Sequence, residues 1–384
     1  VRQRTLAAVA SIAGLRRPPR LRADQEGRRA TWLELFFDLV FVVAVAELSG
    51  VLHGDLSWHG LGTFLGVSAP VIWTWMNFTF YADQFDTDDV VYRLAMFAAM
   101  LASIALAAML DEHGTGFVLA YVALKVILCG LYGRSWAAGT TALERRFSRA
   151  CVAAYAAGGA VWLASLALPD DLRPWAWALG LGIEIGTPIF GPKVFSEMPL
   201  SREHIPERFG LFTIIVFGET IVVVALAGAE AGWPTADALA AVAGFALACG
   251  VWWLYFDRVD ENRLRQTIRP NLTFIYAHPL LFASLNALAV GVELAIEHAS
   301  GHALEVAQRA LLGGGTAAVV AMIAAIQGAT DRPPPRRVQG GRLAVAAVAA
   351  ALIAVPLPAL ALTGVLAALV AAQAAYEALA GASS

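Results

Sequence analysis

Charge is what this sequence has least of. Asp, Glu, Lys and Arg make up 15% of its 384 residues, where ordinary soluble domains carry about 25%. With a formal net charge of −3 as well, no global basic signal points to nucleic acid. Cysteine is equally scarce: Cys129, Cys151 and Cys249 sit in apolar stretches at unrelated spacings. That argues against a disulfide framework or thiolate metal site and reads as small buried hydrophobes. No phosphate-binding loop is present, because Gly313–Gly315 lies in an apolar run with no Lys-Ser/Thr behind it. ATP-driven transport by this chain alone is therefore not expected. Asp83, Asp86, Asp88 and Asp89 lack the Gly and terminal Glu of a calcium loop and read as a solvated loop. No compact set of His, Cys and acids supplies metal ligands, so neither metal nor cofactor is expected.

What the chain has in abundance is apolar sequence, at 59% of residues and a mean hydropathy of +0.65. Runs near the ~20 residues that span a bilayer occur at 33–52, 60–81, 92–110, 117–135, 150–168 and 175–192. They recur at 209–228, 236–256, 271–293, 304–327, 342–356 and 359–379. Whether Val355–Pro358 (VPLP) separates two helices or breaks one is left open. The fold expected is all-α, a polytopic transmembrane helix bundle of about 12 spans.

The basic residues orient it. Eight arginines precede the first run, and on alternate sides of the spans thereafter one face collects 24 Lys and Arg in all. The other face has Arg173 and Arg309, and Lys125 lies within a span. Positive-inside bias then places both termini in the cytoplasm, for a multi-pass protein of a bacterial inner membrane. An internal repeat is also visible. LELFFDLVFVVAVAEL resembles IPERFGLFTIIVFGETIVVV, pairing Glu34 with Glu207 at an offset of 173, and Tyr81–Asp83 lies over Tyr255–Asp257 at 174. The domains expected are a basic cytoplasmic segment at 1–30 and two six-helix repeats at 31–200 and 201–384. Six is even, so the repeats should be parallel.

Against so apolar a background, buried ionisable residues are the candidate site. Glu34 and Asp38, four apart on a helix, stand about 40° apart on one face. A carboxylate that cannot reach water costs about 2.5–3.5 kcal/mol on insertion scales, so that face should look into a bundle or wet cavity. Snorkelling toward the basic flank could reduce the cost for Asp38. Glu207 and Arg208 stand at the cytoplasmic boundary of the seventh run, and Glu219 well inside it. Lys125 should be neutral or paired, with Glu184 as one partner. His278, Asn286 and Glu293 punctuate the ninth run; Asn286 and Glu293, seven apart, share a face. Trp73, Trp75, Trp252 and Trp253 could line a cavity or fill the core between halves.

Two stretches carry a family resemblance: WLELFFDLVFVVAVAELS and HIPERFGLFTIIVFGETI. The chain resembles the bacterial low temperature requirement A (LtrA) family of multi-pass membrane proteins, from about Arg29 to Ala380. The resemblance maps the family's characteristic acids to Glu34, Asp38, Glu207 and Glu219, with Arg208 and Phe209 among them. It implies a membrane protein and brings little mechanism. The first helix is also similar to that of two-repeat potassium channels at Phe36-Phe37-Asp38, while the second half departs with Arg208-Phe209-Gly210.

The function expected is a secondary transporter or permease of an unidentified small solute, coupled to a proton or cation. The alternatives are a cation channel and a membrane-embedded enzyme or stress-related signalling protein. Expected partners are the lipid bilayer and a small solute or ion, with no nucleic acid; a homodimer is left open.

Overall fold

The computed structural model describes residues 18–22, 28–110, 114–230, 235–258, 264, 265, 268, 271–301 and 303–382. Among these the chain is almost wholly helical, as hydrocarbon demands: every backbone N–H and C=O must find its partner within the chain. Twelve long helical stretches form. The first six are α1 Trp32–Gly54, α2 Trp58–Gln84, α3 Val90–Ala107, α4 Thr115–Ala138, α5 Ala142–Ala164 and α6 Arg173–Phe190. After a short α7 at Val194–Glu197 come α8 His204–Glu230, α9 Thr235–Phe256 and α10 Leu272–Glu297. A short α11 at Val306–Arg309 runs through a π-helical turn at Ala310–Gly314 into α12 Gly315–Gly328. Then follow α13 Arg336–Ala351 and α14 Ala359–Ala382. Each expected apolar run falls on one of these, and Val355–Pro358 separates two helices. Ten of the twelve are long and apolar enough to cross a membrane; α2 and α6 are not among the ten. The α2 helix buries Ser68, Thr74, Asn77, Thr79, Asp83 and Gln84.

Local chemistry sets several helix starts. Asp89 caps α3, accepting the Tyr92 N–H at 2.8 Å. Thr141 and Glu144 form a capping box on α5, and Glu144 also accepts the Leu21 N–H at 2.9 Å. Leu21 belongs to β1 (Arg20–Leu21), which pairs antiparallel with β2 (Phe85–Asp86). This two-residue ladder draws the chain before α1 onto the end of α2.

The described residues cluster into two units. Unit 1 takes in those of Val1–Ala44, Ala69–Arg208 and Arg265–Pro270; unit 2 takes in those of Val45–Ser68, Phe209–Leu264 and Asn271–Ser384. In unit 1, α3, α4, α5 and α6 pack in sequence. Gly158 on α5 and Gly180 on α6 meet closely: a Cβ at Gly158 would lie 3.0 Å from the Gly180 carbonyl. Trp162 of α5 stacks on Trp177 of α6 with centroids 5.2 Å apart. In unit 2, α9 packs on α14 and α10 on α12. There a Cβ at Gly291 would meet the Leu312 backbone at 2.6 Å. Large apolar side chains such as Leu94, Leu101, Leu226, Val242 and Leu379 remain exposed on the helices, while polar groups are gathered inside. In water that pattern would be costly, and in lipid it is the stable one.

Candidate functional site

In unit 1 the buried acids are held by cations. Glu34 begins as a capping residue, its Oε2 accepting the Thr31 N–H at 2.7 Å. Its Oε1 takes a hydrogen bond from Arg28 at 2.8 Å and lies 3.4 Å from Arg208 Nη1. Asp38, one helical turn on, accepts from Arg208 Nη2 at 2.5 Å and from Trp75 Nε1 at 2.7 Å. It is 1% exposed, so it pairs with an internal arginine and does not snorkel. Asp83 at the end of α2 is fully buried. It accepts the Ser201 N–H at 3.2 Å and stands 2.9 Å from His204 Nδ1. Arg28 lies 3.5 Å from the same carboxylate and donates to the Ala82 and Asp83 carbonyls at 3.0 and 3.2 Å. Burial lowers the Arg28 guanidinium from its ordinary value, and Glu34 and Asp83 pull it back upward.

The expectation of a solvated Asp83–Asp89 loop is thereby corrected in part. Asp83 and Asp89 are buried, Asp89 pairing with Arg134 at 2.6 Å, while Asp86 and Asp88 remain exposed. The ladder to β1 and the turn into α3 fold that stretch inward. Glu207 stays at the rim, accepting the Ala30 N–H at 3.3 Å and lying 3.7 Å from Arg29.

A second group assembles in unit 2. Asn286 on α10 donates to the Val45 carbonyl at 2.9 Å, and its Oδ1 accepts from Ser49 Oγ at 3.2 Å. Glu219 on α8, partly buried, comes near Ser49 and Glu293. Glu293 in turn lies 3.1 Å from His53 Nδ1. The structure thus brings together Glu219, Asn286 and Glu293 with Ser49 and His53, which sequence reasoning did not single out. Among the described residues no Lys or Arg joins this group.

With that geometry in place, comparison with known proteins is informative. The family model described as bacterial low temperature requirement A protein (LtrA) matches residues 29–375. The chain belongs to this family. An uncharacterized protein of Rhizobium meliloti (strain 1021) is 28% identical over 298 residues, which cover 70% of each chain. Together with the ten spanning-length helices, this makes the chain a multi-pass LtrA-family membrane protein.

Of the other candidate residues of the LtrA-family chain, Trp75 joins the first group through its hydrogen bond to Asp38. Lys125 and Glu184 do pair, at 2.7 Å and almost wholly buried. The Tyr121 hydroxyl donates to Glu184 at 3.2 Å, and the ammonium lies 4.2 Å from the Tyr121 ring centroid. Gly158 makes room for the carboxylate, since a Cβ there would come within 2.6 Å of Glu184 Oε1. His278 bridges the Phe274 carbonyl and the Tyr255 hydroxyl at 2.7 and 2.9 Å, a fixed packing role. Trp73 and Trp75 are buried, but Trp252 and Trp253 are 48% and 49% exposed. For the latter two the enclosed position is corrected: α9 turns their indoles outward.

One buried network in unit 2 escaped sequence reasoning. Arg342 on α13 makes a bidentate pair with Glu377 on α14, at 2.8 and 2.5 Å, and donates to Gln327 at 2.8 Å. Gln373 completes it, donating to Glu377 at 2.8 Å. The i, i+4 spacing of Gln373 and Glu377 in an otherwise apolar helix was the available signal.

Proposed function

We propose that this LtrA-family protein is a secondary transporter or permease of a small solute, coupled to a proton or cation through Glu219. In this reading the chain crosses a bacterial inner membrane twelve times, as two parallel six-helix repeats at 31–200 and 201–384, with both termini cytoplasmic. The 173-residue and 174-residue offsets and the one-sided arginines support that arrangement.

One observation carries the coupling role: the single hydroxyl hydrogen of Ser49 faces too many acceptors. The Val45 carbonyl at 3.4 Å and Asn286 Oδ1 at 3.2 Å already compete for it, with the Glu219 carboxylate nearby. A proton on Glu219 resolves the shortage, because the carboxylic acid then donates to the Ser49 oxygen. A small cation would serve similarly, relieving repulsion between Glu219 and Glu293 while Ser49 and Asn286 offer neutral oxygens. Glu34 and Asp38 differ in kind, since Arg28 and Arg208 already neutralise them and fix them in place.

The solute is identified first, by comparing uptake and metabolites of deletion and complemented cells. Transport of that solute into reconstituted vesicles is then followed over a pH series for wild type, E219Q and D38N. E219Q should lose gradient-driven accumulation while keeping exchange, and D38N should act mainly through stability. Unchanged gradient-driven transport in E219Q would return the residue to a helix–helix contact.

A further inference from the structure

His204 has no part in the reading above, yet its surroundings are unusual for a buried histidine. It is fully buried at the start of α8. Its Nδ1 lies 2.9 Å from Asp83 Oδ1 and its Nε2 lies 3.5 Å from Glu34 Oε1. A neutral imidazole carries one N–H and one lone pair. Whichever tautomer it adopts, the lone pair would then point at a carboxylate oxygen. Nε2 has no hydrogen-bond partner at that distance, and only the imidazolium, with hydrogen on both nitrogens, presents a positive N–H edge to both carboxylates.

Charge balance is met by the same state. The groups around the ring are Glu34 and Asp38 from α1, Asp83 from α2 and Arg28 from the segment before α1. Arg208 comes from α8 itself, and the phenol of Tyr92 approaches Glu34 and Arg208 from α3. Three carboxylates thus meet two guanidiniums. Asp83, Asp38 and Arg208 are each no more than 1% exposed, so water does little to screen the remaining negative charge, and an uncompensated buried charge is costly. A positive His204 closes the balance.

We propose that His204 is a proton-binding site, holding an imidazolium between Asp83 and Glu34. One proton from solvent adds to the ring lone pair, and no other bond forms or breaks. The bound proton links three elements of unit 1: the start of α1, the end of α2 and the first turn of α8. The Ser201 N–H donates to Asp83 at 3.2 Å, and the His204 N–H donates to Ser201 Oγ at 3.1 Å. The turn that begins α8 is therefore seated on the same carboxylate that holds the ring, and losing the proton would loosen that seat.

The test is a direct reading of the ring. The full-length protein, labelled with ¹⁵N-histidine and held in lipid nanodiscs at about neutral pH, is examined by nitrogen NMR beside H204Q. Both resonances that vanish in H204Q should lie at imidazolium shifts. A vanishing resonance at the shift of an unprotonated, lone-pair-bearing nitrogen would overturn the proposal. Should H204Q fail to fold, replacing the other six histidines by glutamine one at a time assigns their resonances, the pair left over belongs to His204, and the same two outcomes decide.

Discussion

Replacing Lys125 by methionine and Glu184 by glutamine, singly and together, tests whether their pairing is a true energetic coupling. The two charges sit 2.7 Å apart with side chains 2% and 0% exposed. K125M leaves a buried carboxylate with the Tyr121 hydroxyl, at 3.2–3.3 Å, as a remaining donor. Stranding one member of a buried pair costs about 3–5 kcal/mol. E184Q strands an ammonium instead, but one that lies 4.2 Å from the Tyr121 ring centroid. A desolvated cation–π contact recovers about 2 kcal/mol, so E184Q should lose less, about 2–3 kcal/mol. Independent effects would add to more than about 5 kcal/mol. The double variant removes both charges while keeping volume and should lose only about 2 kcal/mol, a coupling near 3 kcal/mol. The assay is reversible unfolding in mixed micelles, followed by tryptophan fluorescence, for all four proteins. Additivity to within about 0.5 kcal/mol would refute the reasoning.

The close approach of α5 and α6 predicts that G158A and G180A lose about 1–3 kcal/mol, because the new methyl groups meet Glu184 at 2.6 Å and Trp162 at 2.5 Å. G62A and G66A, which have nothing within 4 Å, should be neutral or mildly stabilising in the same unfolding assay. D83N should be strongly destabilised and D86N within about 0.5 kcal/mol of wild type, since Asp83 is buried and the Asp86 side chain is 69% exposed; equal effects would return Asp83 to the solvent. In a cysteine-free background, D55C should react with an impermeant thiol reagent added to intact cells and G340C should not. Equal labelling would overturn the orientation drawn from the arginines.

Much of the helical order was legible because the bilayer is so strict a solvent. Twenty-residue apolar runs admit helices and little else, and their positions could be read off one by one. Single ionisable residues were legible for the same reason: a lone Lys125 or Glu219 in such a run stands out, and Glu184 could be named as one partner for Lys125. The 174-residue offset was less informative about environment. Asp83 and Asp257 occupy matching positions, yet Asp83 is buried on His204 while Asp257 is exposed.

By itself, then, the sequence determined the solvent this chain folds in, the sites of its helices and the handful of ionisable residues that had to be accounted for inside. Only tertiary structure decided which cation met which acid. Asp38 meets Arg208 across 170 residues and Asp83 meets His204 across 121. The physical reason is that a buried charge constrains its neighbourhood to contain an opposite charge, without saying which of several should supply it. That choice is made by packing: the α5–α6 glycines that admit Glu184, the ladder that draws Asp83 inward, and the turn of α9 that leaves Trp252 and Trp253 facing out.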